Sequence, residues 1–169
     1  TPNTSPTITT DALIIGFGKG GKTLAAKLSA AGRKVVVAEA SADMYGGTCI
    51  NVGCIPSKSL ITSAAKADPH APEAEKAAAF RRAVEEKRRL TAMLRKKNYD
   101  KLERMENVTL YDGHARFVGA HQVEVTGDTG TYLLESAQIF INTGSTARIP
   151  PIEGIRDTPG VYTSAGLMD

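Results

Sequence analysis

The residues best suited to chemistry are two cysteines, Cys49 and Cys54, set five apart in Gly46-Gly47-Thr48-Cys49-Ile50-Asn51-Val52-Gly53-Cys54-Ile55-Pro56-Ser57-Lys58. A cysteine acts as a nucleophile, redox centre or metal ligand through its thiolate. In an unbroken helix, residues five apart are separated by a rise of about 7.5 Å and about 140° of rotation. A disulfide needs Cα atoms within about 7 Å and convergent side chains. A bridge therefore requires an irregular segment, and Gly53 and Pro56 supply the means. Pro56 suits the first turn of a helix. Cys54 then lies just before the N-terminus of that helix, where the dipole favours thiolate. On the residues alone a redox pair stands beside a pair of buried, inert thiols. A zinc site is poorer, because no second ligand pair accompanies the cysteines, and no metal ligands are assigned.

A second pattern, Gly16-Phe17-Gly18-Lys19-Gly20-Gly21, matches G-x-G-x-x-G. The match is weak alone and gains weight from leaving a strand and entering a helix. Gly16 permits the tight turn, Gly18 lets backbone approach a pyrophosphate, and Gly21 lets the helix pack on the strand. The helix N-terminus offers N–H groups to phosphates. Glu39 ends the next strand, where a carboxylate can accept from ribose hydroxyls. The pattern predicts dinucleotide binding without naming the dinucleotide.

These groups need a frame. Asp11–Gly16 reads as a buried strand, Lys22–Ala31 as a helix closed by Gly32, and Lys34–Glu39 as a second strand. That is a βαβ unit with parallel pairing. After a loop from Ala40 to Thr48, a helix is predicted from Pro56 to Ala67 and a longer one from Glu73 to Leu94. On the latter, Phe80, Ala83, Val84, Leu90 and Leu94 share one sector, which Lys87 interrupts. Asn98–Met105 is read as a turn or two more of helix. Strands follow at Val108–Leu110, Ala115–Val118, Gln122–Thr126, Thr131–Leu134 and Gln138–Asn142, with Gly127 read as a hairpin turn. Residues 1–9 read as a disordered tail. The fold class is α/β, a Rossmann-like domain with a helical insertion and a β-meander.

Against that frame, GGTCINVGCIPSK resembles the redox-disulfide motif of the flavin-dependent pyridine nucleotide-disulfide oxidoreductases, the family of glutathione reductase, dihydrolipoamide dehydrogenase and mercuric reductase. The run from Met44 to Lys58, with Phe140 to Ser145, is most similar to a bacterial branch near the metal-ion reductases. The resemblance implies FAD on the first fingerprint, held by Gly16, Gly18, Gly21 and Glu39. It places Gly47 and Thr48 along the cofactor, the backbone of His114 and Ala115 at the adenine end, and Thr143 and Gly144 near the pyrophosphate. It makes Cys54 the charge-transfer thiol facing the flavin, Cys49 the interchange thiol and Lys58 the lysine beside the flavin ring. Asn142 departs from the Ala that many members carry before Thr-Gly.

Family members continue into a separate NAD(P)H domain and a dimerisation domain that supplies a catalytic His–Glu pair. Neither is recognisable here, and His70, His114 and His121 match no base motif. The resemblance therefore implies that residues 10–169 are the N-terminal portion of the FAD domain, inactive alone. The full-length enzyme is expected to be a homodimer that takes electrons from NAD(P)H and reduces a small-molecule or metal-ion acceptor. The alternative is a NAD- or nucleotide-binding Rossmann module with structural cysteines.

Composition bounds the rest. A chain of 169 residues with 41% hydrophobic and 23% charged residues suits one packed domain. Aromatics are 5% with no Trp, a poor basis for nucleic-acid stacking. Ten Lys and Arg between Arg81 and Arg104 are read as a solvated helix face. No apolar run approaches a membrane span, and a cytoplasmic setting is expected.

Overall fold

The computed structural model describes residues 7–168. They form two compact units. One takes the described chain up to Gly47 together with Arg95–Gly144, and the other takes Thr48–Leu94 with the residues from Ser145 on.

In the first unit, β2 (Ala12–Ile15) and β3 (Val35–Glu39) are parallel, with Leu13 opposite Val36. β4 (Val108–Asp112) and β8 (Ile139–Ile141) flank them, giving the parallel order β4-β3-β2-β8. All four residues of β2 and the first four of β3 are buried. Burial on both faces is why these strands read as unbroken apolar runs. Ala12, Ile14, Val35 and Val37 join a core that includes Ala25 of α1 (Lys19–Ala30) and Leu102. Leu13, Ile15, Val36 and Ala38 face the other way, onto Val123, Val125 and Leu134.

Those three residues belong to a second sheet. β5 (His114–Gly119), β6 (Gln122–Gly127) and β7 (Gly130–Ser136) form an antiparallel meander, and β1 (Ile8–Thr10) pairs parallel to β7. Ile8 and Thr9, assigned by sequence to the tail, are therefore strand residues; residues 1–6 lie outside the described residues. Gly127 is not an open turn position, since a Cβ there would meet the Asp112 carbonyl oxygen at 2.0 Å.

The second unit holds α2 (Thr48–Asn51), α3 (Cys54–Ala64) and the first part of α4 (Glu73–Glu103). The sequence places α3 later, from Pro56 to Ala67, and has no α2. It also ends the long helix at Leu94, whereas α4 runs unbroken through Glu103. Lys87, which spoils the apolar sector on paper, is 3% exposed, while Phe80 is 66% exposed. The Lys87 ammonium donates to the Met168 carbonyl. Periodicity failed here because a lysine stem is apolar and its head found a backbone acceptor.

Candidate nucleotide and dithiol sites

The nucleotide-side residues converge at the C-terminal ends of the parallel strands, where ligands bind in open α/β sheets. β2 delivers Gly16 at φ +107°, and a Cβ there would lie 2.2 Å from the Asn142 carbonyl oxygen. Only glycine fits both the torsion and the approach. α1 starts at Lys19, three residues before the sequence places it, so Gly20 and Gly21 are helical. Gly21 is buried, and a Cβ there would meet the Gly16 carbonyl oxygen at 2.3 Å. The first helical bond runs from the Lys22 N–H to the Gly18 carbonyl, 3.0 Å. The N–H groups before it have no acceptor within the helix. Gly18 caps the helix without a side-chain bond.

Two other segments close on this turn. The Gly46 N–H donates to the Phe17 carbonyl at 3.0 Å. Gly47, at φ +86°, packs so closely that a Cβ would be 2.8 Å from the Cα of Gly18. From the other side, the Asn142 N–H donates to the Ile15 carbonyl at 2.8 Å.

Glu39 does more than the sequence reading assigns to it. Its Oε2 accepts from the Phe17 N–H at 2.8 Å and its Oε1 from the Ser41 N–H at 3.1 Å. The carboxylate thus ties the glycine turn to β3. Each oxygen keeps a lone pair for a further donor. Glu39 also lines a cavity of about 270 Å³ with Ile15, Gly16, Ala38, Ala40, Gly113, His114, Ala115 and Thr143. This volume suits a nucleoside end and falls short of enclosing a whole dinucleotide. Gly16, Glu39, His114, Ala115 and Thr143 are thereby brought together. Gly18, Gly21 and Gly47 gather at the adjoining turn, and Gly144 follows Thr143. A cavity of nucleoside size beside a glycine-rich helix N-terminus fits the adenosine and pyrophosphate of FAD.

Sequence reasoning missed an aromatic brace. Tyr45 packs against Phe17 at 5.1 Å and Tyr99 at 4.8 Å between ring centroids, and its hydroxyl donates to Asp112. Burial, then the Asp112 carboxylate, raise the Tyr45 pKa far above the ordinary phenol value. Nothing in the spacing of these residues marked them as partners.

In the second unit, α2 ends at Asn51 and α3 begins at Cys54, with Gly53 capping α3. A Cβ on Gly53 would meet the Thr48 carbonyl oxygen at 3.0 Å, so the junction is tight. This break turns the two sulfurs together. Both are exposed thiols, and Cys49 is hydrogen-bonded to Cys54. That hydrogen bond, then desolvation and the charge of Cys54, raise the Cys49 pKa, while nearby Lys58 opposes the rise. Lys58 stands one helical turn after Cys54 and is exposed, as is Thr48. Pro56 falls within the first turn of α3 and is buried. The buried-thiol alternative is corrected by the exposure of both cysteines.

Residues 10–167 match the family described as pyridine nucleotide-disulphide oxidoreductase. The chain belongs to that family. It is 44% identical over 158 residues to the probable pyridine nucleotide-disulfide oxidoreductase RclA of Escherichia coli K12, covering 94% of this chain and 34% of RclA. It is 36% identical to the mercuric reductase of Shewanella putrefaciens, covering 93% of this chain and 30% of that protein. The structure of the Cu(II) complex of the HOCl-induced flavoprotein disulfide reductase RclA from Escherichia coli superposes with a TM-score of 0.85 at 43% identity, covering 95% of this chain and 34% of that one. The chain therefore spans about a third of the length of these relatives. The family's cofactor is FAD, and NAD(P)H as donor is consistent with it. Among the described residues no helix is long and apolar enough to cross a membrane.

Proposed function

We propose that this chain is the FAD-binding, dithiol-bearing part of an NAD(P)H-dependent flavoprotein that reduces a disulfide or metal-ion acceptor through Cys49 and Cys54. The observation that carries this reading is the pairing of two exposed thiols across the α2–α3 break, in a chain of this family. FAD, when bound, supplies two-electron transfer between NAD(P)H and the cysteine pair. The first-turn N–H groups of α1 hold the pyrophosphate, Glu39 accepts from the ribose, and the backbone at His114 and Ala115 receives the adenine. Thr143 and Gly144 bound the pyrophosphate, and Gly47 and Thr48 run along the cofactor.

In the dithiol, a Cys49–Cys54 disulfide takes up two electrons and two protons and becomes two thiols. Cys49 is the interchange thiol that attacks the acceptor, and Cys54 is the charge-transfer thiol. Cys54 favours the protonated form of Cys49, so Cys49 must give up its proton to a base as it attacks the acceptor. Lys58 provides positive charge beside the pair. As soft ligands, two thiolates also suit a thiophilic metal ion, in keeping with one relative named for mercuric ion and another whose structure is a Cu(II) complex. In the cytoplasm, where we place the protein, the thiols are kept reducible. The whole enzyme acts as a homodimer, with a general acid from outside this chain.

Thiol counting under denaturing conditions, on samples first oxidised and then reduced, tests the dithiol. No free thiol after oxidation and two after reduction are expected. Two free thiols in the oxidised sample overturn the reading.

A further inference from the structure

We propose that Asn142 is a positioning residue that clamps the glycine turn from β8, and that Gly20, which the G-x-G-x-x-G pattern leaves unspecified, is glycine to make room for it. The backbone of Asn142 is anchored to Ile15. Its side-chain Nδ2 donates to the Gly16 carbonyl at 3.1 Å. Added Cβ atoms at Gly18 and Gly21 would lie 3.1 and 2.7 Å from Nδ2, and one at Gly20 would lie 2.9 Å from Oδ1. The carboxamide therefore sits against three positions at the start of α1 while holding the last carbonyl before the turn.

The chemistry asks for an amide. The Gly16 carbonyl needs a donor, and Asn supplies one from a short, stiff side chain. Asp at this position is acceptor-only when ionised and faces that carbonyl with a like partial charge. Ala keeps the backbone anchor and loses the clamp. Gly20 has no positive φ, so its backbone does not demand glycine. In a helix, Gly→Ala ordinarily stabilises. Here the added methyl would push Oδ1 and strain the bond to Gly16. Clamping fixes the direction in which the first N–H groups of α1 point, a consequence for FAD that rests on the function proposed above.

A double-variant cycle on the 169-residue chain tests the clamp without cofactor. Gly20→Ala is expected to lower Tm or leave it unchanged in the parent, and to raise it when Asn142→Ala is present. Amide hydrogen exchange gives a second readout. Asn142→Ala and Asn142→Asp are each expected to speed exchange at least tenfold at Lys22, whose N–H closes the first helical bond onto Gly18, with Val36 and Val37 unchanged. An equal rise of Tm in both backgrounds, or unchanged exchange at the turn, overturns the proposal. Flavin-fluorescence titration separates it from the cofactor assignment. With the clamp, FAD binds at least tenfold more weakly to Asn142→Ala, while adenosine binding is unchanged. If the parent binds no FAD but Gly20→Ala reverses sign, the clamp stands and the cofactor assignment of this chain falls.

Discussion

Replacing Gly18 with Ala separates folding from cofactor binding at a single methyl group. Gly18 has φ −74°, which any residue adopts. Its added Cβ would meet only Asn142 closely, at 3.1 Å from a side-chain nitrogen. A shift of a few tenths of an ångström relieves that contact. Ala is a poorer N-cap than Gly, so the stability cost is about 1 kcal/mol or less. The cost to binding is larger if the pyrophosphate lies over this position. Hydrogen bonds to a charged group contribute about 1.5–3 kcal/mol each. A methyl that moves the pyrophosphate off two N–H groups then costs about 3–6 kcal/mol, or roughly two to four orders of magnitude in affinity. Urea unfolding of the apo chain measures the first quantity and flavin-fluorescence titration the second. Gly119→Ala is the control, since its Cβ would meet only the flexible Gln122 side chain, nearest at 3.3 Å. A folded Gly18→Ala variant with affinity within threefold of the parent refutes the placement of the pyrophosphate.

Gly127→Val should unfold the first unit outright, because its Cβ would sit 2.0 Å from the Asp112 carbonyl oxygen; loss of the native circular dichroism signal at 25 °C checks this. Leu13→Ala, at a fully buried position of β2, should lower stability by about 2–5 kcal/mol in urea titration. The raised pKa of Cys49 means that the folded chain holds this proton to higher pH than an ordinary thiol at 9.0. Its stabilising contribution is full below that value and is lost as pH rises through the folded pKa. Alkylation of Cys49 should therefore reach half its limiting rate above pH 9.0, and Cys54→Ser should shift that midpoint down. The chain alone, with added FAD, should not oxidise NAD(P)H with any disulfide or metal acceptor in steady-state assay, whereas the full-length enzyme should.

The parts of the fold legible in sequence are those where one physical rule acts alone. β2 and β3 are buried on both faces, so Leu13-Ile14-Ile15 and Val35-Val36-Val37 read directly as strands. The start of α1 was misplaced because Gly20 and Gly21 are poor helix formers, yet the turn needs them inside the helix. β1 was missed because Ile8–Thr10 is short and polar at its flanks, and its partner lies in β7. The Gly turn and Glu39 were legible from their places between strand and helix and at the end of β3, whereas His114, Ala115 and Thr143 were expected only through the family resemblance. The second tasks of Glu39, the Tyr45 brace and the Asn142 contact were not, since each depends on segments that meet only after folding. The cysteine spacing predicted a break between the two thiols. It did not predict α2 before that break.

The parallel pairing of β2 with β8 also sets a schedule for synthesis. Leu13 pairs with Ile139 and Ile8 with Leu134. At about 5–20 residues per second, the wholly apolar β2 emerges from the ribosome roughly 6–25 s before its β8 partner exists. In that interval one edge of β2 is open, and one of its apolar faces lacks Val123, Val125 and Leu134. A nascent chain in this state is a ready substrate for chaperone capture and for edge-to-edge aggregation. Slower translation or scarcer chaperones should therefore lower its yield in the cell even where the finished sheet is stable.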